Sequence, residues 1–176
     1  MKHALSISAL GATLLVAGFA TTTDAEAASR RVVRPNAAGG TSATAAVVRQ
    51  GPYGGGIVRG RAAATDGQGS ATAVRGGTAH GPNGGTASRA GTNTRSADGS
   101  ATHESGMSAS GSQGSVQSNG SASRDASGNV TQSRSTSATS SVTGNSVQSS
   151  SSYNQDTGLT RSATCYDASG AVIACR

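Results

Sequence analysis

The sequence predicts an all-β chain of short repeated strands, forming a meander or a solenoid-like stack and preceded by a disordered N-terminal region. Three observations predict this fold: glycines recur about every 15 residues, polar and apolar residues alternate between them, and aspartates precede the glycines. The recurring glycines are Gly69, Gly85, Gly99, Gly114, Gly128, Gly144, Gly158 and Gly170. Such spacing marks a repeated unit, which rarely holds one converged catalytic pocket.

Few side chains after residue 27 are able to form a hydrophobic core. This part of the chain has eleven valines, two isoleucines, one leucine and no Phe or Trp. That content lies far below roughly 20%, which is the lower bound for ordinary globular domains. A thin β structure with small side chains inside is one outcome, and a largely disordered chain is the alternative.

Residues 1–27 are predicted to be a cleavable export signal. Lys2 precedes a mostly apolar run from Ala4 to Ala20, and Ala25-Glu26-Ala27 has the small-x-small pattern of a cleavage site. The run is interrupted by serines and falls short of the roughly 20 residues of a membrane-spanning helix. We therefore expect an exported protein, periplasmic, cell-surface or extracellular, with no transmembrane segment after cleavage.

Residues 28–65 are predicted to be a flexible Arg/Gly-rich arm. After residue 27 the chain has thirteen arginines, no lysine and six acids, a net charge of +7, and nine of those arginines precede residue 96. A glycine-rich run at residues 51–56 disfavours regular structure. The candidate anion contacts are Arg30, Arg31, Arg34, Arg59 and Arg61. A solvated arm without a partner is one interpretation, and the other is contact with an anionic polymer outside the cytoplasm, such as acidic polysaccharide, lipopolysaccharide or extracellular DNA.

Residues 66–164 are predicted to be degenerate β repeats. Glycines near the middle of several units (Gly76, Gly91, Gly106 and Gly120) suggest a strand, turn, strand, turn pattern with strands of about five residues. The five aspartates after residue 27 lie one to three positions before a glycine, where Asp accepts backbone hydrogen bonds and Gly supplies a positive φ. They are Asp66, Asp98, Asp125, Asp156 and Asp167.

Residues 165–176 are predicted to be a C-terminal hairpin closed by a disulfide between Cys165 and Cys175. The two cysteines bracket an Asp-Ala-Ser-Gly turn followed by a β-prone arm. An exported chain with two cysteines is expected to join them. Their spacing fits neither a redox Cys-x-x-Cys motif nor a usual zinc site.

No constellation of residues indicates catalysis, so we expect no enzyme, no catalytic residues, no cofactor and no metal site. His80 and His103 lack an obvious third ligand. Glu104 adjoins His103, and neighbours on a strand point to opposite faces. With one aspartate or none per repeat, a β-roll calcium site is not expected either.

The leader, the Ser/Thr/Ala/Gly repeats and the closing Cys-Tyr-Asp-Ala-Ser-Gly-Ala-Val-Ile-Ala-Cys resemble small exported repeat proteins of Gram-negative bacteria. The resemblance covers residues 66–176 and implies export without implying an activity. Gln117, Gln132 and Gln148 also give a partial glutamine ladder, similar to that of secreted amyloid subunits such as curli.

Two functional hypotheses follow from the sequence. The first is a non-enzymatic structural or adhesive protein of the periplasm or cell surface, with self-association as one form of it. The second is a binding module for anionic polymers that uses the Arg-rich arm, with no intracellular nucleic acid as partner.

Overall fold

The computed structural model describes residues 27–51 and 53–175. The predicted export signal therefore lies outside the described residues, except for Ala27. The described chain forms eleven strands: β1 (Ala27–Pro35), β2 (Thr41–Gln50), β3 (Gly56–Thr65), β4 (Ala71–His80), β5 (Thr86–Arg95), β6 (Ala101–Gly111), β7 (Gly114–Arg124), β8 (Val130–Ser140), β9 (Ser146–Asn154), β10 (Gly158–Tyr166) and β11 (Val172–Ile173).

All eleven strands belong to one open antiparallel sheet. The strand order follows the sequence from β1 to β11, and each strand pairs with the strands before and after it. The all-β prediction is confirmed, in its meander form, and the described residues are not the largely disordered chain of the alternative.

The repeat unit is one long strand and one turn, which differs from the predicted pair of short strands. β1 to β10 have 9 to 11 residues. The mid-unit glycines lie inside strands, and none of them has a positive φ. Their backbone is extended, and a β-carbon at each would lie 3.1 to 3.4 Å from an atom of the neighbouring strand.

The turn role of the recurring glycines is confirmed at seven of eight positions. Gly69, Gly99, Gly114, Gly128, Gly144, Gly158 and Gly170 all have positive φ, whereas in the turn between β4 and β5 Gly84 takes that conformation in place of Gly85. Each turn reverses the chain and sets the register of the next strand.

The prediction that residues 28–65 form a flexible arm is wrong, because this segment contains β1, β2 and β3. The apolar pairs Val32-Val33, Val47-Val48 and Ile57-Val58 lie within these strands. Of the glycine-rich run that suggested flexibility, Gly51, Gly54 and Gly55 lie between β2 and β3, and Gly56 begins β3. Pairing with β4 extends the sheet through this segment, so tertiary context overrides the local composition.

The sheet is a single layer without a hydrophobic core. No hydrophobic residue among those described is buried, and Ser118 is the buried polar residue, at 5% exposure. Main-chain hydrogen bonds between strands therefore carry most of the order. This explains how a chain so poor in aliphatic residues forms regular structure.

The two faces of the sheet differ in chemistry. Residues opposite each other in the register share a face, and neighbours along a strand alternate. We call the face that carries Arg61 and Arg75 the arginine face and the other the hydroxyl face. Hydroxyl pairs bridge strands of the hydroxyl face at 2.7 to 2.9 Å: Thr86–Ser110, Ser88–Ser108, Ser121–Ser133, Ser123–Thr131 and Ser150–Ser162.

The predicted disulfide-closed hairpin is confirmed. Cys165 and Cys175 are joined, with their Cα atoms 5.3 Å apart. β11 pairs with the end of β10 through Cys165–Ile173 and Tyr166–Val172. The disulfide thus fixes a two-residue strand to the last full strand of the sheet.

Candidate anion-binding face

Most of the arginines point to one side of the sheet. Among the twelve in the described chain, ten lie on the arginine face: Arg31, Arg49, Arg59, Arg61, Arg75, Arg89, Arg95, Arg124, Arg134 and Arg161. Arg30 and Arg34 lie on the hydroxyl face. Of the candidate anion contacts, the register thus groups Arg31, Arg59 and Arg61 on one face and separates Arg30 and Arg34 from them.

Five of these arginines stand in a single row across the strands. The register connects Arg31, Ala45, Arg61, Arg75, Gly91, Ser105, Gly120, Arg134, Ser151 and Arg161 in sequence from β1 to β10. Arg61 and Arg75 are directly opposite each other. Like charges at such positions repel, so this arrangement lowers the stability of the free sheet.

A second row lies two residues away on the same face. It contains Arg59 in β3 and Arg89 in β5, which flank Gly77 of β4. Four guanidinium groups therefore come from three adjacent strands, β3 to β5. Strands in a sheet are about 4.8 Å apart, so these cations form a compact cluster.

Glycines in the first row let two arginine side chains lie low over the neighbouring strand. A β-carbon at Gly91 would be 3.7 Å from Arg75 Nε, and one at Gly120 would be 3.6 Å from Arg134 Nε. Arg75 extends from β4 towards β5, and Arg134 extends from β8 towards β7. The two side chains thus approach the centre of the sheet from opposite sides.

These side chains border a groove of about 420 Å³ on the arginine face. Its arginines are Arg59, Arg61, Arg75, Arg89 and Arg134. Ser118 lies in the groove, and its hydroxyl is 2.8 Å from Thr136 Oγ1 and accepts a long bond from Arg134 Nη1 at 3.4 Å. The planar fork of a guanidinium matches phosphate, sulfate and carboxylate groups, so the groove has the chemistry of an oxyanion site.

No carboxylate within a described strand balances the arginine face. Glu104 in β6 is the one acid in those strands, and it lies on the hydroxyl face opposite Thr92 and Ser121. The five described aspartates lie in the turns. The centre of the arginine face therefore carries positive charge without strand acids beside it.

The sequence analysis did not identify Arg75, Arg89 and Arg134 as members of this site. Arg61, Arg75 and Arg89 are spaced by 14 residues, close to the glycine period. That spacing, combined with strands as long as the whole unit, would have placed them near one another. The prediction of two short strands per unit obscured the signal.

The histidines do not form a site together. His103 lies on the arginine face, with Nδ1 2.8 Å from Asn93 Oδ1, whereas His80 lies on the hydroxyl face. Among residues 27–51 and 53–175, no group of three or more His, Cys, Asp or Glu side chains is placed to hold a metal ion. The absence of catalytic residues and cofactors remains a prediction.

The described part of the chain contains no helix long and apolar enough to cross a bilayer. Comparison of the chain with models of known families, with curated proteins and with solved structures found no match.

Proposed function

We propose that this chain is an exported, non-enzymatic adhesive or structural protein that holds anionic polymers on the arginine face of its sheet. The observation that supports this function is the concentration of ten arginines on one face, with no strand carboxylate among them. An anionic partner relieves the repulsion within the row and adds charge-assisted hydrogen bonds.

A polymer fits the face better than a single small anion. The arginine row runs from β1 to β10, nine strand spacings or about 43 Å. Cations that are spread along such a row are engaged together only by a ligand that carries many anionic groups. Each additional contact is then intramolecular, so a polymer gains affinity from several weak ionic contacts.

The relevant polymers are those outside the cytoplasm if the chain is exported. They include acidic polysaccharide, lipopolysaccharide and extracellular DNA, which share phosphate, sulfate or carboxylate groups. The disulfide between Cys165 and Cys175 is compatible with export because such bonds persist in oxidising compartments.

Retention on a heparin column tests the proposal with two variants of equal charge. Arg61→Gln/Arg75→Gln removes the directly opposed pair from the arginine face, and Arg30→Gln/Arg34→Gln removes two charges from the hydroxyl face. We expect the first variant to elute at clearly lower salt than the second, because only the first changes the groove. Equal elution of the two variants would show that net charge alone governs retention.

A salt titration with single-stranded DNA gives an independent measurement. The slope of log K against log salt counts the phosphates engaged, at about 0.7 per phosphate contact. The Arg61→Gln/Arg75→Gln variant is expected to reduce the slope by about 1.4. An unchanged slope would place the polymer elsewhere on the protein.

A further inference from the structure

A row of apolar residues follows one end of the strands on the arginine face. It starts with Ile57 in β3 and ends with Ile173 in β11. Its members in the C-terminal half are Ala109, Val116, Ala138, Val147, Cys165 and Ile173. None of them is buried, and Ile173 is 37% exposed.

The C-terminal half of this row lines an open groove of about 1030 Å³. Val116, Ala138, Val147 and Cys165 come from four consecutive strands, and β11 places Ile173 beside them. The groove is open to solvent and large enough to admit the tail of a small organic molecule. Polymer binding on the arginine row does not require an apolar groove.

The polarity of the arginine face changes in three steps away from this groove. The apolar row comes first. The next row, two residues along each strand, has the hydroxyls of Ser118, Thr136 and Ser149. The third row has Arg134 and Arg161, about 13 Å from the apolar row by strand geometry.

Arg134 brings positive charge closer to the apolar row than its Cα position indicates. Its Nη1 is 3.4 Å from Ser118 Oγ, and Ser118 is two residues from Val116 on β7. A ligand with its tail on Val116 and Val147 therefore reaches this guanidinium with an anionic head.

We propose that this groove binds a single-chain anionic amphiphile, such as a fatty carboxylate or an alkyl phosphate. Its tail lies along the apolar row, and its head is held by the Arg134 guanidinium. The order of apolar, hydroxyl and cationic rows matches the order of tail, linkage and anion in such a molecule. The apolar groove is separate from the Arg59, Arg61, Arg75 and Arg89 cluster. Arg134 lines the groove of that cluster, and its guanidinium extends towards the apolar row as far as Ser118.

Calorimetric titration of the purified protein tests the proposal with three probes below their micelle-forming concentrations. They are dodecanoate, dodecyltrimethylammonium, which has the same tail and the opposite charge, and inorganic phosphate, which has no tail. We expect dodecanoate to bind at least tenfold more tightly than either of the other two. Affinity should also rise about twofold to fourfold per methylene from octanoate to dodecanoate.

Two pairs of variants locate the site. Val116→Thr/Val147→Thr is expected to weaken dodecanoate binding about tenfold, whereas Val48→Thr/Val58→Thr, on the hydroxyl face, leaves it unchanged. Arg134→Gln is expected to weaken binding about tenfold through loss of the charged hydrogen bond, and Arg30→Gln is its control. Circular dichroism verifies that each variant keeps its β structure.

Four results overturn the proposal: no binding of dodecanoate, equal binding of the cationic amphiphile, equal weakening by the hydroxyl-face controls, or self-association through the groove. The last is detected by sedimentation as a dimer that Val116→Thr/Val147→Thr dissociates. If the groove variants fail to fold, the comparison of head groups and chain lengths on the unaltered protein decides.

Discussion

Four aspartates each organise the turn in which they lie. Asp66 Oδ1 accepts the Gln68 and Ser70 N–H groups at 2.8 and 3.0 Å, and Asp98, Asp125 and Asp167 accept equivalent bonds in their turns. The turn at Asp156 differs, because there Asn154 Oδ1 accepts the Asp156 N–H at 2.8 Å. The predicted turn role thus holds for four of the five aspartates.

These hydrogen bonds predict a loss of stability in acid. The bond from the Gln68 N–H lowers the pKa of Asp66, and side-chain bonds from Ser100, Asn129 and Ser169 lead the causes that lower the pKa of Asp98, Asp125 and Asp167. A lowered folded-state pKa contributes stability above the unfolded value, near 3.8, that is lost as pH falls through the folded value. Urea midpoints should therefore fall as pH is lowered below about 4.

A variant with Asn at Asp66, Asp98, Asp125 and Asp167 tests the cause. The amide keeps a side-chain oxygen that accepts the backbone bonds but does not titrate in this range. Its urea midpoint should change less with pH than that of the unaltered protein. If the variant with all four substitutions keeps the full pH dependence of the urea midpoint, groups other than these aspartates cause the loss of stability in acid.

A substitution at Gly120 is expected to weaken binding to an anionic polymer without changing the charge of the protein. A β-carbon there would lie 3.3 Å from Ser133 O and 3.6 Å from Arg134 Nε, so Gly120→Val lifts the Arg134 side chain from the sheet. Heparin elution should shift to lower salt. Gly76→Val is the matched control because its side chain points to the hydroxyl face. Equal shifts in the two variants would show that retention on heparin does not depend on the position of the Arg134 side chain.

At the scale of the strand, the sequence predicted the turns better than the strand lengths. Asp-Gly spacing and Ser/Thr/Val alternation are local signals, so the all-β fold and the hairpins could be predicted. Gly91 and Gly120 imitate turn residues locally, but the structure places them under the side chains of Arg75 and Arg134. Only the register between strands reveals that relation, because it joins residues distant in sequence.

The same limit applies to the partial glutamine ladder. Gln117 and Gln148 lie on the hydroxyl face in register with Ser137 between them, whereas Gln132 lies on the arginine face. An antiparallel meander reverses each strand, so a repeat in sequence does not stack identical residues. Similarly, the grouping of Arg59 and Arg61 with Arg75 and Arg89 depends on the register of β3 to β5.

The disulfide is expected to stabilise one element of the sheet only. β11 has two residues, and its strand contacts are with β10. Because the bridge spans 10 positions, opening it in Cys175→Ser should reduce the stability of the β10–β11 end by about 2–3 kcal/mol. Hydrogen exchange should accelerate at Tyr166, Val172 and Ile173, with no change in β2 and β3.

How far the faster hydrogen exchange extends along the sheet tests whether the stability of each strand depends on its neighbouring strands alone. Since the contacts join consecutive strands only, the sheet should behave as a linear array of nearest-neighbour interfaces. Faster exchange throughout β2 to β9 in the same variant would show a cooperative unit instead. Chemical reduction of the unaltered protein provides an independent comparison.

At the scale of the whole molecule, folding orders the backbone without removing large side chains from water. The described residues contain no buried hydrophobic side chain, and Val142, Leu159 and Val172 are 72%, 56% and 70% exposed. Stability therefore depends on main-chain pairing and cross-strand hydroxyl contacts. The same exposure keeps both faces of the layer accessible to a ligand, which a packed sandwich of this size would not allow.

A small heat-capacity change on unfolding is the thermodynamic consequence. Newly exposed apolar surface raises the heat capacity and newly exposed polar surface lowers it, with a net of about 12–15 cal/mol/K per residue in ordinary globular proteins. A single layer that buries little apolar surface should give well under that value in scanning calorimetry. Measurement over a tenfold range of protein concentration should leave the midpoint unchanged. An ordinary value with a concentration-dependent midpoint would mean that a second copy covers one face, which contradicts a single layer with both faces accessible.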